Sequence, residues 1–217
     1  LFFSFEHIIR VTSTDTLGDF KQWRKEKTVV YIHSSTVNMD YYAPLSSIFL
    51  TQYFESFFES LPDNNDLNMS FILDETPILT INLSILAANV RKYAGSIAVF
   101  CQDAENQLTT SFGREGARSI LSNLKTKLYL TASLDTAQAL SKELGSYQYQ
   151  DKETGHQKTR PLMTVDEIMT LPKGKGLITV TNEKPILAKL TPYYRIPSLL
   201  KKTQLPPASL FTDIEDG

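Results

Sequence analysis

The chain has 217 residues, 41% of them hydrophobic and 21% charged, which is the composition of ordinary globular protein and enough length for one large domain or one and a half small ones. A net charge of -2 provides no bulk attraction to nucleic acid, so any contact with DNA has to be local or supplied by other subunits. Cys101 is the only cysteine, which excludes an internal disulfide framework and fits a reducing compartment; no apolar run is long enough to cross a bilayer, and no signal peptide is legible.

Residue 1 is Leu and Leu1 to Phe5 is apolar, so the chain is expected to start inside a structural element of a longer protein. Thr28-Val29-Val30-Tyr31-Ile32 is β-branched and apolar and predicts a buried strand. After the polar stretch His33 to Asp40, Pro44 stands near the start of a long helix. Leu45, Ile48, Phe49, Tyr53, Phe57 and Leu61 recur on it at steps of three and four, which predicts one apolar face. Pro62 to Asp66 reads as a loop, and Ser70-Phe71-Ile72-Leu73 as a short buried strand ending at Asp74. Ser84 to Tyr93 predicts a helix with Gly95 as its C-cap. Ile97 to Cys101 predicts a strand, Glu105 to Phe112 and Ala117 to Asn123 two helices separated by Gly113 to Gly116, Lys127 to Leu130 a strand, and Asp135 to Leu144 a helix closed by Gly145. Tyr147 to Arg160 is polar and loop-like. Met163 to Leu171 predicts a short helix with Thr164 and Glu167 forming a capping box. Gly176 to Thr181 and Pro185 to Lys189 predict two strands joined at Asn182-Glu183-Lys184. The end, Leu205 to Gly217, is Pro-containing and acidic. Apolar strands alternating with helices argue for an α/β fold with a mostly parallel sheet and helices on both faces, plus a short C-terminal β-hairpin.

The chemistry concentrates at strand ends. Asp74-Glu75 closes an apolar strand, where open α/β sheets bind ligands. In a nucleotide-hydrolysing site the first acid holds Mg2+ and the second orients or deprotonates water; the alternative is a strand running into a polar loop. Gln102 ends the next strand and either contacts a γ-phosphate or lytic water, or caps the following loop. Arg91, between the two strands, is either a solvated charge or a cation that projects into a neighbouring subunit's site. Other residues carry less. His7, His33 and His156 lack metal-ligand spacing, and Cys101 reads as an inert core thiol. Trp23, beside Arg24, Lys25 and Lys27, reads as a packed aromatic before it reads as a nucleic-acid platform.

Leu73-Asp74-Glu75, Val90-Arg91-Lys92-Tyr93-Ala94-Gly95 and Val99-Phe100-Cys101-Gln102, in that order and spacing, resemble the second half of a RecA-like motor of the TraG/TraD family, the coupling proteins of conjugation and type IV secretion. Gly113, Ile120 to Asn123, the Thr136 to Gly145 segment, Arg160 to Thr164, Asp166 to Ile168, Leu171-Pro172, and Pro185 to Lys189 before Tyr193-Tyr194 extend the similarity over Thr28 to Tyr194. The resemblance implies a membrane-anchored, hexameric ATPase on the cytoplasmic side of the inner membrane. It implies ATP and Mg2+ as cofactors, and relaxase or relaxosome proteins, single-stranded DNA and the secretion channel as partners. By position it implies that Asp74 and Glu75 are the Walker B acids, Gln102 the γ-phosphate sensor and Arg91 the arginine that acts in trans.

The sequence departs from that family in containing no Gly-x-x-x-x-Gly-Lys-Ser/Thr, so the phosphate cradle is expected upstream, and the chain alone is expected neither to bind ATP tightly nor to hydrolyse it. Thr76-Pro77 also stands where an aromatic residue is usual. The expected organisation is the C-terminal part of a RecA-like domain over 1–195 and an extension or tail over 196–217. An adaptor that docks relaxosome or secretion substrates without catalysis is the alternative reading.

Overall fold

A computed structural model of the chain describes residues 20–32, 39–74, 81–153 and 155–205. Two compact units divide at Leu124/Lys125. The first carries helix α1 (Met39–Glu59), strand β1 (Met69–Leu73), helix α2 (Leu83–Asn89) running into a 3-10 turn (Val90–Tyr93), strand β2 (Gly95–Val99) and helix α3 (Ala104–Asn123). β1 and β2 are parallel, with Met69 opposite Gly95 and Leu73 opposite Val99.

Aromatic packing builds the core of this unit. Leu50, Tyr53, Phe54 and Phe57 of α1 are buried, at helical steps of three and four. Phe71 of β1 meets the rings of Phe54 and Phe57 at 5.3 and 5.1 Å. Leu83, Leu86, Leu108 and Ile120 close the core from α2 and α3. The buried stripe of α1 is partly rotated from the expected one: Tyr53 and Phe57 are common to both and Phe49 packs half-buried on Phe20 at 5.6 Å, but Ile48 faces solvent, Leu50 and Phe54 face inward, and Leu61, also exposed, lies beyond the helix end. Trp23 packs against Phe20 and Tyr53 at 5.2 and 5.0 Å, as a core aromatic. Gly113, at φ 71°, breaks α3 where the sequence placed the separation between two helices.

Two expectations about this unit are corrected. Residues 28–32 form no strand; Val29 and Tyr31 are 74% and 89% exposed. Their β-propensity is real, but a strand exists only where a neighbour completes its ladder, and among the described residues none does. Gly95 is not a helix cap. The left-handed residue after the 3-10 turn is Ala94, at φ 53°, whose N–H bonds the Arg91 and Val90 carbonyls. Gly95 starts β2 and is required for another reason: a Cβ there would stand 2.5 Å from Val90 Cγ2 and 2.9 Å from Phe57 Cζ.

The second unit holds β3 (Thr126–Tyr129), α4 (Leu134–Leu144), β4 (Ser146–Gln150), β5 (Gln157–Pro161), α5 (Val165–Met169), β6 (Lys175–Val180), β7 (Ile186–Lys189) and α6 (Pro197–Thr203). Its sheet has the order β3-β6-β7 and is antiparallel throughout. Ala137 and Leu140 of α4, Ile168 of α5 and Leu177 of β6 form its core. Asn182, at φ 67°, supports the expected turn between β6 and β7. The fold is thus mixed α/β with a partly parallel strand order. The stretch expected as a loop, 147–160, is instead a β-hairpin of β4 and β5 whose strand residues are all exposed; the alternation of Tyr147 and Tyr149 with polar residues in β4 was its one signal.

The capping box of α5 is present: Thr164 accepts from the Glu167 N–H, and Glu167 accepts from the Thr164 N–H at 2.8 Å. Arg160 of the hairpin donates to the same carboxylate at 2.5 Å.

Gly95→Ala overpacks the Val90–Phe57 contact and lowers stability by about 1–3 kcal/mol, read as a shift in the urea midpoint. The Glu167 carboxyl lies below its ordinary range, first because of the Thr164 backbone N–H and further because of the Thr164 hydroxyl and Arg160. A depressed folded-state pKa gives stability that is present above the unfolded value, about 4.3, and is lost as pH falls through the folded value. The protection of the first-turn amides of α5, taken relative to the pH-dependent intrinsic exchange rate, therefore falls as pH drops below the unfolded value in the native protein and not in Glu167→Gln.

Candidate functional site

The site begins with the direction of two strands. Because β1 and β2 run parallel, their C-terminal tips share one rim, about 4.8 Å apart. The ladder reaches that rim, since Phe100 N–H donates to the Leu73 carbonyl at 2.8 Å. Leu73 is buried and Asp74, the next residue, is exposed at the bend that ends β1. On the neighbouring tip the chain continues through Phe100 and half-buried Cys101 to Gln102, also exposed. The Cys101 thiol is pushed up by burial and then by the Asp103 charge, which suits an inert core sulfur.

The loop after β2 is held by a residue that sequence reasoning missed. Gln107 Oε1 accepts from the backbone N–H of Gln102 at 2.8 Å and of Asp103 at 3.2 Å. Asp103 is the N-cap of α3, accepting from the Asn106 N–H at 3.3 Å and the Asn106 amide at 2.7 Å. The helix N-terminus therefore fixes the backbone of Gln102, while its carboxamide has no hydrogen bond among the described residues. A glutamine one turn inside a helix that follows an Asp N-cap was the signal available.

The structure brings Asp74 and Gln102 to one rim and places Arg91 at the other. Arg91 is exposed on the 3-10 turn that leads into the N-terminal end of β2. Five strand residues, about 16 Å, separate that end from the rim. Arg91 thus stands apart from the acid end of its own chain. Glu75, Thr76 and Pro77 lie outside the described residues, as do His7 and His33.

Among the described residues no group of three His, Cys, Asp or Glu side chains could hold a metal ion. A strand-tip carboxylate is nevertheless compatible with Mg2+, which takes one or two protein carboxylates and fills its octahedron with water and phosphate oxygens. Among the described residues no helix is long and apolar enough to cross a membrane.

The residues so far define an α/β sheet domain with a polar rim at the carboxyl ends of its parallel strands. The sequence model of the family described as "Type IV secretory system Conjugative DNA transfer" matches residues 2–216, and the chain belongs to that family. It is 23% identical over 203 residues to Protein VirD4 of Rhizobium rhizogenes and, equally, of Agrobacterium fabrum strain C58; each match covers 85% of this chain and 30% of the relative. Among solved structures, the plasmid coupling protein TrwB in its sulphate-bound trigonal form superposes with a TM-score of 0.68 at 17% identity, over 80% of this chain and 43% of TrwB. TrwB in complex with ADP and Mg2+ gives 0.62 at 19% identity, over 73% and 38%. TrwB has also been solved with the non-hydrolysable ATP analogue ADPNP. The likeness shows the fold, of the RecA-like kind. The chain spans about 30% of the length of the curated relatives it matches.

Gln107→Ala removes the acceptor of two amides. At about 1 kcal/mol per net hydrogen bond, exchange of the Gln102 and Asp103 amides accelerates several-fold to tenfold; unchanged protection would show that the carboxamide does not hold this loop.

Proposed function

We propose that this chain is part of a coupling ATPase that recruits relaxase-bound single-stranded DNA, or effector proteins, to a type IV secretion channel and drives their transfer with ATP. The observation that carries the reading is the parallel β1–β2 pair. It supports an acid and a carboxamide working together on one rim, in a chain whose family is conjugative DNA transfer. TrwB, which shares the fold, binds ADP with Mg2+, and this supports ATP and Mg2+ as the cofactors here.

In this reading Asp74 holds Mg2+, directly or through water. The ion, when bound, neutralises charge on the phosphate oxygens. Glu75 takes the proton of the attacking water, and Gln102 donates a carboxamide hydrogen bond to the γ-phosphate, so the loop after β2 reports the nucleotide state. Arg91 acts on the nucleotide of an adjacent subunit in a ring, most simply a hexamer. Its position a strand's length from Asp74 supports a role in trans over one in cis. The phosphate cradle comes from sequence upstream, and the assembly sits at the cytoplasmic side of the inner membrane.

The test is subunit mixing in the full-length protein. Asp74→Asn and Arg91→Ala each lower ATP turnover, the latter by about 10³-fold or more. Mixed rings regain turnover, because a subunit with intact acids then meets a neighbour with an intact arginine. Glu75→Gln binds ATP without hydrolysing it. Mixed rings as inactive as their parents would refute the trans role of Arg91.

A further inference from the structure

One buried cation has no place in the reading above. Arg24 ends a 3-10 turn (Phe20–Arg24) whose other basic residue, Lys21, has a solvent-exposed side chain, as does Lys25 just after it. Arg24 alone of the three is buried, at 8% exposure. Taking a guanidinium out of water costs several kcal/mol unless its donors are satisfied, and among the described residues no carboxylate pairs with it. Its cation lies 4.7 Å over the Phe57 ring, its Nε has no partner, and Nη2 donates to the carbonyl of Tyr93.

That carbonyl closes the turn that carries Arg91. The last carbonyls of a helical turn lack partners within it, and a cation at this end is favoured. Other groups of the turn are held as well. Val90 is buried, the Arg91 carbonyl accepts from the Ala94 N–H, and the Ala94 carbonyl accepts from the Met69 N–H at 3.1 Å. The Tyr93 ring packs on Phe58 at 4.9 Å, and Lys92 folds back over that ring at 5.8 Å. Arg24 is itself tethered, its carbonyl accepting from the Leu67 N–H at 2.8 Å just before β1. The backbone of the turn is thus fixed from inside the core, while the Arg91 side chain it carries is exposed.

We infer that Arg24 is a positioning residue for Arg91: by holding the Tyr93 carbonyl from inside the core, it sets the direction in which the Arg91 side chain leaves the domain toward a neighbouring subunit. The inference rests on the reading of Arg91 as the arginine that acts in trans.

The experiment uses the full-length protein. Arg24→Met, which keeps an apolar stem without a donor, lowers kcat for ATP roughly tenfold to a hundredfold with KM unchanged, the effect of a misplaced transition-state group. Arg24→Lys, which retains a charged donor, recovers part of the loss. The double variant Arg24→Met/Arg91→Ala turns over no more slowly than Arg91→Ala alone, because the first residue acts only through the second. Mixed with Asp74→Asn subunits, Arg24→Met regains turnover as Arg91→Ala does. An additive double variant, or an Arg24→Met mixture that stays inactive while the Arg91→Ala mixture recovers, overturns this inference alone. An Arg91→Ala mixture that does not recover defeats the trans reading and the inference with it.

Discussion

The parallel hydrogen bonding between β1 and β2 is the constraint on which the first unit turns. Parallel neighbours cannot be joined by a tight turn; they need a crossover long enough to carry the chain back along the sheet. Here α2 and the 3-10 turn between Leu73 and Gly95 make that return. The crossover has two consequences. Both strands deliver their last residues to the same rim, which brings Asp74 and Gln102 together. The returning turn necessarily lies at the opposite rim, which is where Arg91 stands. Acid end and arginine end are separated by the topology itself, before any side chain is chosen.

Among the described residues the same pair is covered on one face only. Phe71 packs on the aromatic face of α1, and Ile97 and Val99 pack on the same core, where each buried ring contributes about 1.5–3 kcal/mol. On the other face Ser70 and Ser96 bond each other at 3.0 Å, and Ile72 and Phe100 are 73% and 56% exposed. Parallel strands are normally buried on both sides. An open face with large apolar residues, together with the exposed 29–32 segment, marks surface that is costly to leave wet.

What was legible in the sequence followed from local chemistry. The strand tip at Asp74, the Gly113 break, the Thr164–Glu167 capping box and the Asn182 turn each depend on residues within a few positions of one another. What was not legible depends on distance. β4 and basic β5 pair in a hairpin exposed along its length, and its only strand mark is the alternation of Tyr147 and Tyr149 with polar residues in β4. Thr28 to Ile32 has every local mark of a strand and lacks only the neighbour that would make it one. Arg24 and Tyr93 are 69 residues apart, and nothing near Arg24 distinguishes it from Lys21 or Lys25. Ala94 takes the left-handed conformation although Gly95 is adjacent, because Val90 and Phe57 already claim the space that only glycine leaves open at 95.

These long-range contacts converge on one short turn. Phe57 packs against Phe71 of β1, lies under the Arg24 cation, and borders the space that Gly95 must leave empty. The side chain that anchors the sheet to α1 thus also supports the cation that holds the Tyr93 carbonyl. A shift of α1 along the sheet would move Phe57, Arg24 and the Arg91 turn together, whereas the Gln102 loop is fixed separately, through Gln107 and the N-terminus of α3. The two rims of β2 are therefore set by different helices. In the proposed motor one rim would answer the nucleotide while the other presents a cation to a neighbour, and separate anchoring by α1 and α3 would let the two act independently.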